Sequence, residues 1–215
     1  MSAPNRRTII QLLALFLLLA ALPAGSWYYL KSGLDYHRKA MAELKDLGPL
    51  PVPASVLPPA GAVLPADSLN GRLVITGFIN LSEKTALDNY GVNWSKLHEQ
   101  FDERKDVLFI TYAKELPGDT ATLQAFIRQY GLLDKTQYYF FTASPEQWQA
   151  VKAAYGLPAD SADKYWIALA DISSKLRRYY DPGQPAEIKR LVEHIALLAP
   201  RKKDRELLYK REREK

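Results

Sequence analysis

Arg72-Leu-Val-Ile-Thr-Gly-Phe-Ile-Asn80 is the stretch on which the reading of the chain turns. It is a short run of apolar and β-branched residues between turn residues, Asn70-Gly71 before it and Asn80 at its end. Such a run reads as a fully buried strand, and a fully buried strand belongs at the centre of a sheet. In an open α/β fold the segment after a central strand lies at the carboxyl edge of the sheet, where ligands and catalytic groups gather. Chemistry is therefore expected between Phe78 and Val92. That window holds no cysteine, no histidine and no Gly-rich phosphate loop.

Toward the C-terminus, strand-like and helix-like segments alternate. Asn93 is placed to cap a helix in which Trp94, Leu97 and Phe101 recur on one face. Val107 to Ala113 reads as a second buried strand. Asp119 is placed to cap a helix whose Leu123, Phe126, Ile127 and Tyr130 form a stripe that Gly131 ends. Tyr138 to Thr142 is a third strand. Ser144-Pro145-Glu146-Gln147 has the form of a capping box with proline at the first helical position. Tyr165 to Asp171 and Lys175 to Asp181 are separated by Ile172-Ser173-Ser174, a hairpin spacing. A last helix runs from Pro185 to a stop at Pro200. The order β, α, β, α, β, α, β, β, α predicts three right-handed βαβ crossovers and a terminal antiparallel hairpin. The fold class is α/β, a mixed sheet with helices on both faces.

Toward the N-terminus, Thr8 to Leu30 is 23 residues without a charge, long enough at ~34 Å to span a bilayer core. Arg6 and Arg7 precede it, and Trp27, Tyr28 and Tyr29 stand where an aromatic belt meets headgroups. A cleaved signal peptide is the rival reading, but the residue three before a cut after Ala24 is Leu22, which is not small. The expected organisation is an N-terminal tail at 1–7, an uncleaved transmembrane anchor at 8–30 and a helical stalk at 31–47. A Pro-rich lead-in at 48–66, one domain at 67–200 and a charged tail at 201–215 follow. Lys31, Arg38, Lys39 and Lys45 outnumber the basic residues before the span, so charge alone does not orient it.

Composition narrows the chemistry further. With no cysteine, disulfides, thiolate metal sites and thiol redox reactions are excluded. Of the net charge of +5, the eight Lys/Arg and four Asp/Glu of residues 201–215 supply +4. The body is close to neutral and offers no face for a phosphate backbone, so no nucleic acid partner is expected.

The element order, the anchor and the Pro-rich lead-in together resemble the Sco/SenC family of thioredoxin-like proteins. Asp67-Ser-Leu-Asn-Gly-Arg72-Leu-Val-Ile resembles the family's LxGK entry to its central strand. Glu115-Leu-Pro-Gly-Asp119-Thr120 through Tyr130-Gly131 is similar to its DPxxDTPxxLxxYxxxYG helix. Trp166-Ile-Ala-Leu-Ala-Asp171 with Lys175 to Tyr180 resembles its closing hairpin. The similarity runs from about Val63 to Leu198 and is one of pattern more than identity. The resemblance implies copper delivery to, and reduction of, the copper site of cytochrome c oxidase, through a CxxxC pair after the central strand and a histidine before the hairpin. Here the first position falls on Leu81 to Ala86, where Ser82 and Thr85 offer hydroxyls, and the second near Asp163-Lys164. Soft Cu(I) takes thiolate, thioether or imidazole ligands, and none stands at those places.

The expectation is a membrane-anchored, redox-inactive accessory or assembly protein beside a respiratory oxidase. It is not an enzyme, has no catalytic, metal or cofactor-binding residue and needs no cofactor. The resemblance also implies an inner-membrane location with the domain facing the periplasm. Ser82, Lys84, Thr85, Tyr90, Trp94 and His98 form its candidate interaction surface, with Asp88-Asn89-Tyr90-Gly91 read as a turn. Ser82 reads first as the N-cap of a short turn, His98 as a packing residue and His194 as a solvated one. The alternative is a small-molecule binder or hydrolase-like enzyme that reuses residues 81–92. It requires Ser82, Lys84, Thr85 and His98 to converge in a pocket.

Overall fold

The computed structural model describes residues 6–51, 64, 66–114, 120–134, 136–157 and 165–200. The candidate cap Asp119, most of the Pro-rich lead-in, the Asp163-Lys164 position and the tail 201–215 lie outside them. Two compact units divide at Glu43 and Leu44.

The first unit is helical: α1 (Arg6–Phe16), a π-helical segment (Leu17–Ala21) and α2 (Leu22–Glu43). Ile9–Glu43 is long and apolar enough to cross a membrane, and none of its most apolar window is buried in protein. The apolar side chains from Ile9 to Leu30 that the structure describes as large hydrophobics stand exposed.

The second unit is built on a five-stranded sheet in the order β3-β2-β1-β4-β5. A one-turn 3-10 helix (Ala66–Leu69) leads into β1 (Leu73–Asn80), then α3 (Lys84–Phe101), β2 (Val107–Lys114), α4 (Thr120–Gln129) and β3 (Tyr138–Ala143). α5 (Pro145–Ala154), β4 (Trp166–Ala170), β5 (Leu176–Tyr180) and α6 (Pro185–Leu198) complete it. β1 is central and buried along its whole length, as its composition predicts.

Two crossovers, not three, join parallel strands. β1 pairs parallel with β2 and β2 with β3, but β4 pairs antiparallel with β1 and with β5. The segment through α5 therefore returns across the sheet from one edge to the far side of β1, which strand composition cannot reveal. The two parallel crossovers step the same way, so α3 and α4 fall on one face, as crossovers of one hand require.

Strand alternation divides the core into two. Leu73, Ile75, Ile79, Phe109 and Ile167 pack with Trp94 of α3, Phe126 of α4 and Ile195 of α6. Val74, Phe78, Ile110, Tyr112 and Ala168 pack on the other face with Trp148 of α5 and with Tyr155. Leu50 belongs to this second core. The segment before it lies along β5: Leu47 N–H bonds Leu176 O at 2.9 Å, and Leu176 N–H bonds Gly48 O at 2.9 Å.

Two local readings are corrected. α3 begins at Lys84, nine residues before Asn93, so Asn93 is not a cap, and Asp88 to Gly91 are helix and not a turn. Gly91, inside the helix, is where the Tyr130 ring rests, leaving no room for a β-carbon. A glycine that looks like punctuation is here a contact. The capping box at Ser144 is present as read, with Ser144 Oγ accepting from Gln147 N–H and Gln147 Oε1 accepting from Ser144 N–H.

Candidate functional site

The carboxyl end of β1 is held by a compact set of hydrogen bonds to Asn80. Asn80 Oδ1 accepts the Ser82 N–H at 3.2 Å, and Asn80 O accepts the Glu83 N–H at 3.3 Å. Asn80 is buried, whereas Ser82, Glu83, Lys84 and Thr85 are exposed. Glu83 occupies the N-cap of α3 without a side-chain capping bond, so Ser82 does not cap this helix.

Tyr165 closes the loop from the other side. It immediately precedes β4, whose Trp166 lies opposite Phe78 of β1, and its hydroxyl therefore reaches the strand end. The phenol oxygen is 2.5 Å from Asn80 O and 3.2 Å from Glu83 O. Burial pushes the phenol above its ordinary value, so it stays a protonated donor between two carbonyls. Sequence reading missed this residue because a tyrosine at a strand start looks like core.

Tyr90 and Trp94 are not a contact surface in this chain. Both are buried, their rings stacked with centroids 4.7 Å apart, and Trp94 sets its edge on Phe109 at 5.4 Å. The Tyr90 hydroxyl is 3.2 Å from Thr111 Oγ1. The ring occupies the space above Gly77, where any β-carbon would meet its phenol. A helix that begins at Lys84 turns these two aromatics inward.

The remaining candidates stand apart. Lys84 and His98 are fourteen residues apart on α3, ~21 Å along the axis. His98 sits half-buried with Nε2 3.7 Å from Asp134 Oδ2 and its ring 4.9 Å from that of Tyr138. No hydroxyl of Ser82 or Thr85 can reach it, so the convergence that a hydrolase-like site requires is absent. His194, expected at the surface, is fully buried, with Nδ1 2.7 Å from the Tyr180 hydroxyl. Among the described residues no group of three or more His, Asp or Glu side chains gathers as a metal site would require.

Asn93, misread as a cap, donates from Nδ2 to Pro182 O at 3.2 Å and ties α3 to the loop after β5. Beside this tie lies a cleft of about 200 Å³ lined by Ala86, Asn89, Tyr90, Tyr165, Asp181 and Gly183. It is smaller than the ~300 Å³ at which small-molecule pockets begin.

No family model matches the chain, and no curated protein matches it. Solved structures do. A SCO1/SenC family lipoprotein from Bacillus anthracis str. Ames is 20% identical with a TM-score of 0.51, over 62% of this chain and 85% of that one. BsSco, a member of the Sco family of cytochrome c oxidase assembly proteins, is 16% identical with a TM-score of 0.55, over 74% and 99%. A thiol-disulfide isomerase from Corynebacterium glutamicum is 20% identical with a TM-score of 0.55, over 73% and 100%. With the strand order and the two-faced core, these likenesses establish a thioredoxin-like fold, carried here by a chain that has no cysteine.

Proposed function

We propose that this chain is a membrane-anchored, redox-inactive accessory or assembly protein of a respiratory, oxidase-type membrane complex. It works by protein contact and not by copper or thiol chemistry. The observation that carries the reading is the end of β1. Where the resemblance implies a thiol pair, the chain offers the exposed Ser82 and Thr85, and the loop is closed by the Tyr165 hydroxyl on Asn80 O and Glu83 O. Neither hydroxyl is a ligand for Cu(I), and without a thiol there is no disulfide exchange. The scaffold and the apolar helix are what remain for a partner to use.

In this reading Thr8 to Leu30 crosses the inner membrane without being cleaved, and the domain faces the periplasm. The contact surface is drawn from the exposed Ser82 before α3 and the exposed Lys84 and Thr85 at its start, with the half-buried His98 at the far end of the helix. Tyr90 and Trp94 support it from beneath.

Two measurements test the reading. Titration of the purified full chain with Cu(I) is expected to show no stoichiometric site; sub-micromolar binding overturns redox inactivity. Mild-detergent co-purification from native membranes is expected to bring down subunits of an oxidase-type complex. Recovery of the chain with only unrelated partners overturns the assignment.

A further inference from the structure

The helix between the apolar span and the domain carries a pattern that anchoring does not need. Trp27, Leu30, Leu34, His37 and Met41 follow one another at steps of three, four, three and four residues. That is the spacing of the seam along which a helix packs against a like helix. All five lie on α2, and at 3.6 residues per turn they fall within an arc of about 80°. Trp27 is 63% exposed, Leu30 65%, Leu34 56% and Met41 39%; His37 is exposed as well.

Lipid accounts for the first two and not for the others. From Lys31 onward the helix carries Asp35, Arg38 and Lys39, all exposed, a composition that belongs in water. Leu34 and Met41 thus stand on one aqueous stripe, continuous with the side chains that enter the bilayer.

We propose that α2 pairs in parallel with α2 of a second copy of this chain along that stripe. Membrane insertion, on which this proposal rests, favours such an occupant. It holds every copy in one orientation and confines them side by side, raising their effective concentration. This matters because residues 31–43 are too few to pair stably when free. The flanks also suit a copy. Lys31 and Arg38 take the positions that face the preceding flank of the partner helix, and in this sequence those are Ser26 and Gly33. The basic residues therefore meet no like charge, and the small residues allow close approach.

A chain without cysteine makes the test direct, since each introduced thiol is unique. Leu34→Cys and Met41→Cys on the stripe, and Tyr36→Cys and Lys39→Cys off it, are made in the full chain and reconstituted in phosphatidylcholine–phosphatidylglycerol vesicles. The vesicles are washed with alkaline carbonate and then oxidised with copper phenanthroline in air. Disulfide-linked dimer is expected at least about fivefold more abundant for the two stripe variants than for the two others. Equal cross-linking at all four positions, or none, in chains that stay with the vesicles overturns the pairing alone. A chain that carbonate strips from the vesicles overturns the anchor and the pairing together.

Discussion

The hydroxyl of Tyr165 lies 2.5 Å from the main-chain oxygen of Asn80, joining the start of β4 to the end of its antiparallel neighbour β1. The Tyr165 hydroxyl also donates to Glu83 O at 3.2 Å, so one phenol fixes the path of the chain into α3. Tyr165→Phe keeps the ring and removes the donor, while Asn80 O keeps the Glu83 N–H and Glu83 O the Leu87 N–H. A loss of about 0.5–1.5 kcal/mol is expected, read as a lower midpoint with an unchanged slope in urea unfolding. A variant as stable as the parent would show that the bond does not hold the loop.

Gly77 and Tyr90 fit closely across the first core. A β-carbon at Gly77 would collide with the Tyr90 phenol oxygen first and the ring behind it. Gly77→Ala is expected to cost about 1–3 kcal/mol by overpacking. Combining it with Tyr90→Phe removes the nearest atom. The double variant should therefore be less destabilised than the sum of the two single ones, a coupling that a thermodynamic cycle measures directly.

The two serines that precede helices behave differently. Ser144 Oγ accepts the Gln147 N–H at 3.3 Å, while Ser82 makes no such bond. Ser144→Ala is expected to lower stability by about 1 kcal/mol, and Ser82→Ala, at an exposed position, by less than about 0.5 kcal/mol. Equal losses would place a cap at Ser82 that the geometry lacks.

Alkaline pH should unfold this domain cooperatively. Burial raises the phenols of Tyr90, Tyr112 and Tyr138 above their ordinary value and pushes Tyr155 up to about 12. The native state thus holds protons that the unfolded chain releases near pH 10, and where the native state binds more protons stability falls as pH rises. The contribution of Tyr155 is intact below pH ~10 and is lost between there and about 12. Phenolate absorbance follows the tyrosines as they ionise. The buried ones should ionise in a single step coincident with loss of near-ultraviolet circular dichroism. Gradual ionisation of every tyrosine in a chain that keeps its fold would contradict the burial.

Much of this molecule was legible in its residues. The β-branched run before Asn80 identified the central strand, Ser144 to Gln147 declared a capping box, and the uncharged stretch from Thr8 to Leu30 declared a helix able to span a bilayer. The missing cysteines removed thiol chemistry before any contact was known. These are local signals, set by side-chain branching, period and capping over a few residues, and so they are readable without neighbours.

Other features came from contacts between distant residues. Asn93 resembles a cap and Gly91 a turn until the Tyr130 ring, thirty-nine residues on from Gly91, is seen resting on the glycine within one long helix. That helix start turns Tyr90 and Trp94 into core and separates His98 from Ser82. His194 looks solvated by its place on α6 and is buried because Tyr180 of β5 waits beneath it. β4 takes the edge of β1 that β2 leaves open and runs antiparallel to it, a pairing between segments some ninety residues apart. The sequence alone determined that there is no thiol in this chain and where its central strand lies. Tertiary structure alone decided which side chains reach water, because burial depends on what arrives from elsewhere in the sequence to cover them.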